Sequence, residues 1–375
     1  MEEKERKKKK DKAENKADNK KNKHKKDKQS EKEKKHADEN KKTKTELDAG
    51  AANIEKNAEG DKSSEEDSGR KPDITKRIII AAAAIALGLL FVFDPELFYS
   101  FIGSIESGAE EEMHQSGLYA AFIDVGQGDS ILLVSPNGKT MLIDAGTPDS
   151  FNSIESFLNK KEIKKLDVVI ATHTHSDHIG SMKRIIDDYS VGRFYMPEAV
   201  NTTTTFDKLL SSLERKKVKV KAIWGGKKST INWDDDVEVR VLSPIKGNDY
   251  EQNLNDMSLV VKVTYGETSL LLTGDAEKTA EAIMLKNDAG LLKANVLKLG
   301  HHGSSTSSSK AFLDAVSPDI VVISVGADND YGHPHKETME RLSKMDVKVY
   351  RTDKLGTVCM MLDGKEVKLL DISKK

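Results

Sequence analysis

The chain has 375 residues, 33% of them charged, and its formal net charge at pH 7 is −2. This near-neutral total conceals two parts, because residues 1–77 carry about +6 and the remainder about −8. The single cysteine, Cys359, excludes an intramolecular disulfide framework, so packing, with or without a bound metal, must stabilise the folded part.

Residues 1–73 are predicted to form a disordered cytoplasmic tail. They consist mainly of Lys, Glu, Asp and Asn, and they cannot bury enough apolar surface to offset the entropy lost on ordering. A nucleic-acid-binding arm is the alternative. The lysines, however, are interleaved with acidic residues, and the segment has no Phe, Tyr or Trp on which bases could stack.

Residues 74–94 are predicted to form one transmembrane helix. Residues 78–93 carry no charge and would span roughly 24 Å, so the flanking Lys76 and Arg77 must help to cross a ~30 Å hydrocarbon core. The alternatives are a buried core helix, for which the tail offers no packing partner, and a signal peptide, for which the leading region is too long. The basic flank places the N-terminus in the cytoplasm and the rest of the chain outside the cell membrane.

A juxtamembrane linker is predicted at residues 95–117 and one folded domain at residues 118–375. Apolar runs there alternate with helical stretches, a pattern typical of α/β layers in which helices cover sheets. Strands are predicted at residues 119–124, 130–134, 140–144, 166–171, 193–196, 219–223, 238–242, 258–265, 268–273, 295–299, 320–324, 348–351 and 358–362. Helices are predicted at residues 153–161, 179–189, 205–216, 278–287, 310–315 and 336–344.

Four ligand-type side chains follow the strand predicted at residues 166–171. They are His173, His175, Asp177 and His178, in a loop at the strand end where ligands bind in layered α/β folds. Imidazole and carboxylate are ligands that zinc or manganese accepts, and four such groups so close together would repel or stay unsatisfied without a cation. A polar surface loop is the alternative. The sequence therefore predicts a metal site.

Further motifs accompany this loop over nearly all of residues 118–375. Together they resemble the metallo-β-lactamase fold, and in combination they are similar to the hydrolase domain at the C-terminus of the DNA-uptake channel ComEC. The resemblance implies an αββα sandwich with a two-metal centre between the sheets. The motifs are Phe122–Ser130, Leu142–Gly146, Leu271–Asp275, Leu297–Ser304, Tyr331–Pro334 and Arg351–Asp353.

The resemblance also implies ligand roles. His173 and His175 match ligands of one metal, and Asp177 and His178 match ligands of the other. Asp275, which follows an apolar strand, matches the carboxylate that bridges the two ions. Two divalent ions, zinc or manganese, about 3.5–4 Å apart can share a hydroxide and stabilise an in-line phosphoryl displacement. Asp177 and Asp275 are therefore also the predicted catalytic carboxylates.

The resemblance also assigns a supporting carboxylate and one further histidine ligand. Asp144 matches a carboxylate that orients a ligating histidine. Either His301 or His302 should complete the second site; we prefer His301, although the sequence does not separate the two. Many superfamily members carry another ligating histidine where residues 253–258 stand here, but residues 179–300 contain no histidine. The first metal is therefore short of one imidazole, which makes β-lactam or thioester hydrolysis a poorer fit.

Two loops could contact a substrate. His333 is predicted to protonate the leaving group or bind a phosphoryl oxygen, and its alternative is an ordinary turn histidine. Residues 303–309, rich in serine, are predicted to form either a phosphate-binding edge or a flexible polar loop.

Three functions fit these features. The first is a membrane-anchored phosphodiesterase or nuclease acting on extracellular DNA, with single-stranded DNA as the candidate substrate. The second is an esterase of a cell-wall or small phosphodiester of the phosphocholine type, and the third is a non-catalytic, metal-stabilised binding module. An acidic domain attracts a polyanion poorly, but two divalent ions offset about four charges. A candidate basic patch comprises Lys216, Lys217, Lys219, Lys221, Lys227 and Lys228.

The predicted topology can be tested in cells. A reporter enzyme that functions only outside the cytoplasm should be active when it is fused after Gly117, because the basic tail is expected to remain inside. Activity of a reporter that functions only in the cytoplasm would overturn this topology.

Overall fold

The computed structural model describes residues 117–199, 201–250 and 252–370. The predicted tail at residues 1–73 and the predicted transmembrane helix at residues 74–94 lie outside the described residues, as does the linker up to residue 116. Among the helices of the described ranges, none combines the length and the apolar character that a membrane crossing requires.

Eight strands form the first sheet. They are β1 (Leu118–Phe122), β2 (Ile131–Val134), β3 (Thr140–Ile143), β4 (Lys165–Ile170), β5 (Ser190–Met196), β6 (Lys219–Ala222), β13 (Val358–Leu362) and β14 (Val367–Leu369). Their order across the sheet is β14-β13-β1-β2-β3-β4-β5-β6. The strands from β3 to β6 pair in parallel, so their carboxyl ends lie at one edge.

Six strands form the second sheet. They are β7 (Val237–Ser243), β8 (Val260–Tyr265), β9 (Thr268–Leu272), β10 (Val296–Lys298), β11 (Ile320–Ile323) and β12 (Lys348–Arg351). Their order is β12-β11-β10-β9-β8-β7, and β9 to β12 pair in parallel. The carboxyl ends of these four strands therefore also share one edge.

The helices of the described residues lie outside the two sheets. They are α1 (Phe151–Lys160), α2 (Ser176–Ile179), α3 (Met182–Asp188), α4 (Thr204–Arg215), α5 (Lys278–Asp288), α6 (Lys310–Val316), α7 (Lys336–Leu342) and α8 (Thr352–Leu355). Apolar residues of α1, α3 and α4 pack on the first sheet, and those of α5, α6 and α7 pack on the second.

Alternation along the strands explains this layering. In β1, Leu118, Ala120 and Phe122 belong to the core between the sheets, whereas Tyr119 and Ala121 belong to the core beneath the helices. Both faces of each sheet are thus covered, and the strands read as continuous apolar runs. The αββα sandwich expected from the resemblance is confirmed.

Most predicted elements agree with the structure to within three residues, and the exceptions have physical causes. The helix predicted at residues 179–189 is α3, which begins three residues later at Met182, and the single-turn helix α2 that precedes it was not predicted. Any side chain at Gly180 would collide with backbone, because a Cβ atom there would lie 2.3 Å from Pro148 N. The three-residue strand β14 and the four-residue helix α8 were not predicted, since such short segments show no hydrophobic period.

Candidate metal centre

The predicted ligands meet where the carboxyl edges of the two sheets adjoin. The chain after β4 carries His173 to His178, and the chain after β9 carries Asp275. A backbone hydrogen bond from Leu259 N to Thr172 O, 2.8 Å long, joins the loops of the two sheets beside this point. The site therefore depends on both halves of the sandwich.

Helix α2 arranges the first motif. His175 occupies the N-cap position, so Asp177 and His178 lie in the first helical turn and not in an open loop as predicted. Residues of the motif therefore differ in their exposure to solvent. His173 and His178 are fully buried, whereas the Asp177 side chain is 27% exposed.

Four side chains converge, and we call them the four-ligand cluster: Asp177, His178, Asp275 and His302. One ligand atom from each lies within 4.8 Å of all the others. Asp275 Oδ1 is 3.2 Å from His178 Nε2 and 3.5 Å from His302 Nε2, and these three buried atoms have no hydrogen-bond partner among the described residues. Buried polar atoms are normally satisfied, so a cation fits this cluster.

The Nδ1 atoms of His178 and His302, on the side of each ring away from the cluster, are held by hydrogen bonds. Asp144 Oδ2 lies 2.8 Å from His178 Nδ1, and Asp144 also accepts hydrogen bonds from the backbone and hydroxyl of Thr172. His302 Nδ1 lies 2.9 Å from the carbonyl oxygen of Ser324, to which it donates. With Nδ1 protonated in both rings, each Nε2 presents a lone pair to the cluster, as a metal ligand must.

Charges in the site favour a bound cation. Although burial opposes it, the imidazoles of His178 and His302 hold the pKa of Asp275 well below its ordinary value. Burial opposes the charged form of His178, but the carboxylates of Asp275, Asp144 and Asp177 raise its pKa well above the ordinary value. An environment that attracts a proton so strongly attracts a metal cation in the same way.

Asp275 also faces a second group of imidazoles. Its Oδ2 lies 3.8 Å from His173 Nε2 and 3.7 Å from His301 Nε2. His173 Nε2 is in turn 3.1 Å from His175 Nδ1. Burial, followed by the charge of His178, lowers the pKa of His173 well below its ordinary value, so the ring is a neutral, ligand-competent imidazole. The two oxygens of Asp275 thus address two separate groups.

The preference for His301 in the second site does not match this arrangement. His302 supplies the atom that converges with Asp177 and His178, whereas His301 Nδ1 is bound to Glu277, 2.8 Å away. This hydrogen bond lowers the pKa of Glu277 to about 2. Both histidines have left-handed backbones, with φ of 47° and 52°, and this turn decides which ring enters the cluster.

Asn255 lies where the sequence lacks the additional histidine. Its Oδ1 is buried and has no hydrogen-bond partner within the described ranges, while its amide nitrogen donates to Glu277 Oε1 at 3.2 Å. Asn255 lines the same cavity as Asp275 and His175. Glu277, which no sequence motif identified, therefore holds both Asn255 and His301 beside the site.

The site opens into a cavity of about 370 Å³. His333 lines it, and its ring centroid lies 5.4 Å from that of His301. Burial, followed by the charges of neighbouring histidines, lowers the pKa of His333 to about 4, so the ring is neutral at pH 7. Its Nδ1 is buried without a hydrogen-bond partner in the described part of the chain. The cavity wall also includes Gln127, Asn201 and Tyr331.

The serine-rich loop at residues 303–309 is held by internal hydrogen bonds. The backbone N–H groups of Ser308 and Ser309 donate to the buried carboxylate of Glu281. Arg341 binds the carbonyl oxygens of Ser307 and Ser308 from another side. These two backbone N–H groups are therefore already used inside the protein, which disfavours a phosphate-binding edge at this point.

A buried ion pair supports the imidazoles from behind. Lys298 Nζ lies 2.5 Å from Asp129 Oδ2, and both side chains are at most 1% exposed. Asp129 Oδ1 is 3.5 Å from His302 Nδ1. Sequence reasoning assigned neither residue a role, although a lysine within the apolar strand β10 was a signal that could have identified the pair.

Removing one partner of this pair should destabilise the fold. Lys298→Met leaves the Asp129 carboxylate buried without its cation, and we expect a loss of about 3–5 kcal/mol in the free energy of unfolding. The double variant Lys298→Met/Asp129→Leu should recover most of this loss, since neither member of the pair is left buried without its partner. Urea unfolding of the full chain in EDTA measures both. A single variant within 1 kcal/mol of wild type, or a double variant no more stable than the single one, would contradict this account.

Comparison with known proteins identifies the family. The model of the metallo-beta-lactamase superfamily matches residues 123–327. ComE operon protein 3 of Bacillus subtilis is 32% identical over 253 residues, which cover 63% of this chain and 32% of that protein. Competence protein ComA of Neisseria gonorrhoeae is 32% identical over 237 residues, covering 63% of this chain and 31% of that protein.

The match spans about a third of the length of each of these relatives. Among solved structures, the metallo-beta-lactamase fold protein YhfI from Bacillus subtilis aligns with a TM-score of 0.42 and 12% identity, covering 63% of this chain and 96% of that one. The superfamily model alone covers more than half of the sequence. The chain therefore belongs to the metallo-β-lactamase superfamily, in which it is similar to proteins of the ComEC type.

Proposed function

We propose that the protein is a membrane-anchored, metal-dependent phosphodiesterase that acts on extracellular nucleic acid, with single-stranded DNA as the substrate. The observation that carries the proposal is the convergence of His178 Nε2, Asp275 Oδ1 and His302 Nε2, which are buried and unpartnered among the described residues. Membership of the superfamily supports metal-dependent hydrolysis. The similarity to a competence protein supports a nucleic-acid substrate.

Two divalent ions, zinc or manganese, are the proposed cofactors. The four-ligand cluster would hold one, and His173 and His175 would hold the other together with Asp275 Oδ2. Imidazole and carboxylate are suitable donors for either metal. When bound, such ions lower the pKa of a water molecule and stabilise the charge on phosphoryl oxygens.

The chain's own groups orient these ligands and the substrate. Asp144 and Thr172 hold the His178 ring so that Nε2 faces the cluster. His333, neutral at pH 7, can donate an N–H to a phosphoryl oxygen in the cavity, and its low pKa makes it a poor source of the leaving-group proton. Of the two roles predicted from the sequence, the proposal therefore assigns phosphoryl binding to His333.

Removing a carboxylate of the four-ligand cluster should abolish hydrolysis. In the full chain with zinc or manganese, Asp177→Ala and Asp275→Ala should each lower kcat/KM for bis-p-nitrophenyl phosphate by at least about 100-fold, because each removes a ligand and not an outer hydrogen bond. Asp314→Ala is the matched control, since Asp314 is an exposed carboxylate on α6 paired with Lys310. Unchanged rates in both cluster variants would defeat the catalytic proposal.

The substrate class is decided by the same assay. Turnover of single-stranded DNA by the wild type supports the proposal, and turnover of a phosphocholine ester in its place favours the cell-wall or small-phosphodiester alternative. Metal binding without turnover of any phosphodiester favours a non-catalytic binding module.

The two adjacent histidines should differ in metal binding. His302→Asn should weaken binding at the four-ligand cluster by at least about 10-fold, whereas His301→Asn should weaken it less than His302→Asn. Asparagine is chosen because it tolerates the left-handed backbone at both positions. Isothermal titration of the metal-free full chain with zinc measures both variants. A larger loss in His301→Asn than in His302→Asn would reverse the assignment.

A further inference from the structure

Tyr331 is an exposed aromatic residue at the cavity beside the proposed metal centre. Its side chain is 66% exposed, the largest value among the large hydrophobic residues of the described ranges; Val220 and Leu210 follow at 46% and 39%. Tyr331 lines the cavity together with Asp275 and His333. None of the mechanistic roles proposed above uses its ring.

The backbone around Tyr331 is held in place. Asn329 Oδ1 accepts hydrogen bonds from the backbone N–H groups of Tyr331 and His333, at 3.2 and 3.0 Å. The Asn329 amide donates to the carbonyl oxygens of Gly326 and His333. His335 Nε2 lies 3.1 Å from the carbonyl oxygen of Tyr331, to which it donates. A ring carried on so constrained a segment loses little entropy when a ligand packs against it.

The ring is also oriented by its neighbour. The Tyr331 and His333 rings are stacked, with centroids 5.6 Å apart and an interplanar angle of 21°. The His333 ring continues toward His301 and His302, whose centroids lie 5.4 and 6.3 Å away. Tyr331 therefore begins a row of aromatic rings that leads from solvent to the proposed ligands.

The basic side chains that line the cavity are all histidines. No lysine or arginine of the described residues lines it. The attraction of a nucleic acid at this place would therefore depend strongly on the proposed ions, which address the phosphodiester, and on contacts to the bases. Bases of a duplex are already stacked on each other, whereas an unpaired base can stack on a protein ring.

We propose that Tyr331 is the platform on which one unpaired base of a single-stranded nucleic acid stacks, next to the phosphodiester at the metal centre. This inference rests on the proposed function and specifies its substrate as a strand with unpaired bases. Small phosphodiesters and abasic strands lack the group that Tyr331 binds. Duplex DNA presents that group only after it has been unpaired.

The test compares two labelled oligomers of equal length and charge, oligo-dT and a strand of abasic nucleotides. With the full chain and manganese, wild type should prefer oligo-dT, and Tyr331→Ala should raise KM for oligo-dT by about 5- to 150-fold, the range for stacking one base on an aromatic ring. Tyr331→Ala should bring the two oligomers to equal kcat/KM. Tyr331→Phe, which keeps a ring, should retain the preference, and Leu210→Ala is the exposed apolar control.

Three results would overturn the inference. Equal losses on both oligomers in Tyr331→Ala would indicate a structural role, and unchanged KM values would assign the exposed ring to another partner, such as a protein or a membrane surface. A loss that shrinks steeply between 50 and 200 mM salt would indicate an ionic contact.

Failure of the proposed function can be distinguished from failure of the Tyr331 inference. If the proposed function is wrong, the wild type does not hydrolyse bis-p-nitrophenyl phosphate. In that case, the fluorescence anisotropy of both labelled oligomers in EDTA still measures the base preference and its dependence on Tyr331. Equal binding of the two oligomers by the wild type would then overturn the inference.

Discussion

A single buried carboxylate, Asp275, holds the site together. One of its oxygens faces His178 and His302, and the other faces His173 and His301. Asp275 follows a strand of the second sheet, whereas His173 and His178 follow a strand of the first. The facing imidazoles and carboxylate therefore exist only when the two sheets are packed. Burying such groups is unfavourable unless a cation or hydrogen bonds satisfy them, so the apolar core between the sheets sustains an arrangement that the site residues alone would not adopt.

The same packing sustains strained backbone. Asp144, His301 and His302 all have positive φ, a conformation that non-glycine residues seldom adopt. Each gains a compensating contact: Asp144 accepts hydrogen bonds from Thr172, His302 donates to the carbonyl oxygen of Ser324, and His301 Nδ1 lies 2.8 Å from Glu277 Oε1. These contacts hold the Nδ1 atoms of His178 and His302, so that the Nε2 atoms of both rings face Asp275.

Much of the fold could be predicted because its signals are local and repeated. Apolar runs of four to seven residues marked nearly all strands, and the spacing between them indicated the layers. The His173–His178 motif was recognisable because several ligand types stand close together in sequence. The helix α2 was missed, since its single turn of four residues is too short to show a helical period.

The parts of the site that the sequence could not resolve depend on backbone direction and burial. His301 and His302 are adjacent and chemically identical, and only the left-handed turn distinguishes their directions. Lys298 and Asp129 are far apart in sequence, so their pairing appears only once β10 packs against the loop after β1. The serine-rich residues 303–309 suggested a phosphate-binding edge, yet Glu281, which lies on another helix, already accepts hydrogen bonds from the N–H groups of Ser308 and Ser309.

The most direct test of the two-ion account is anomalous diffraction from crystals of the full chain grown with manganese. Two anomalous peaks are predicted on either side of the Asp275 carboxylate, one among Asp177, His178 and His302 and one beside His173 and His175. Crystals that diffract well and show no anomalous peak, or only one, at Asp275 would contradict the account.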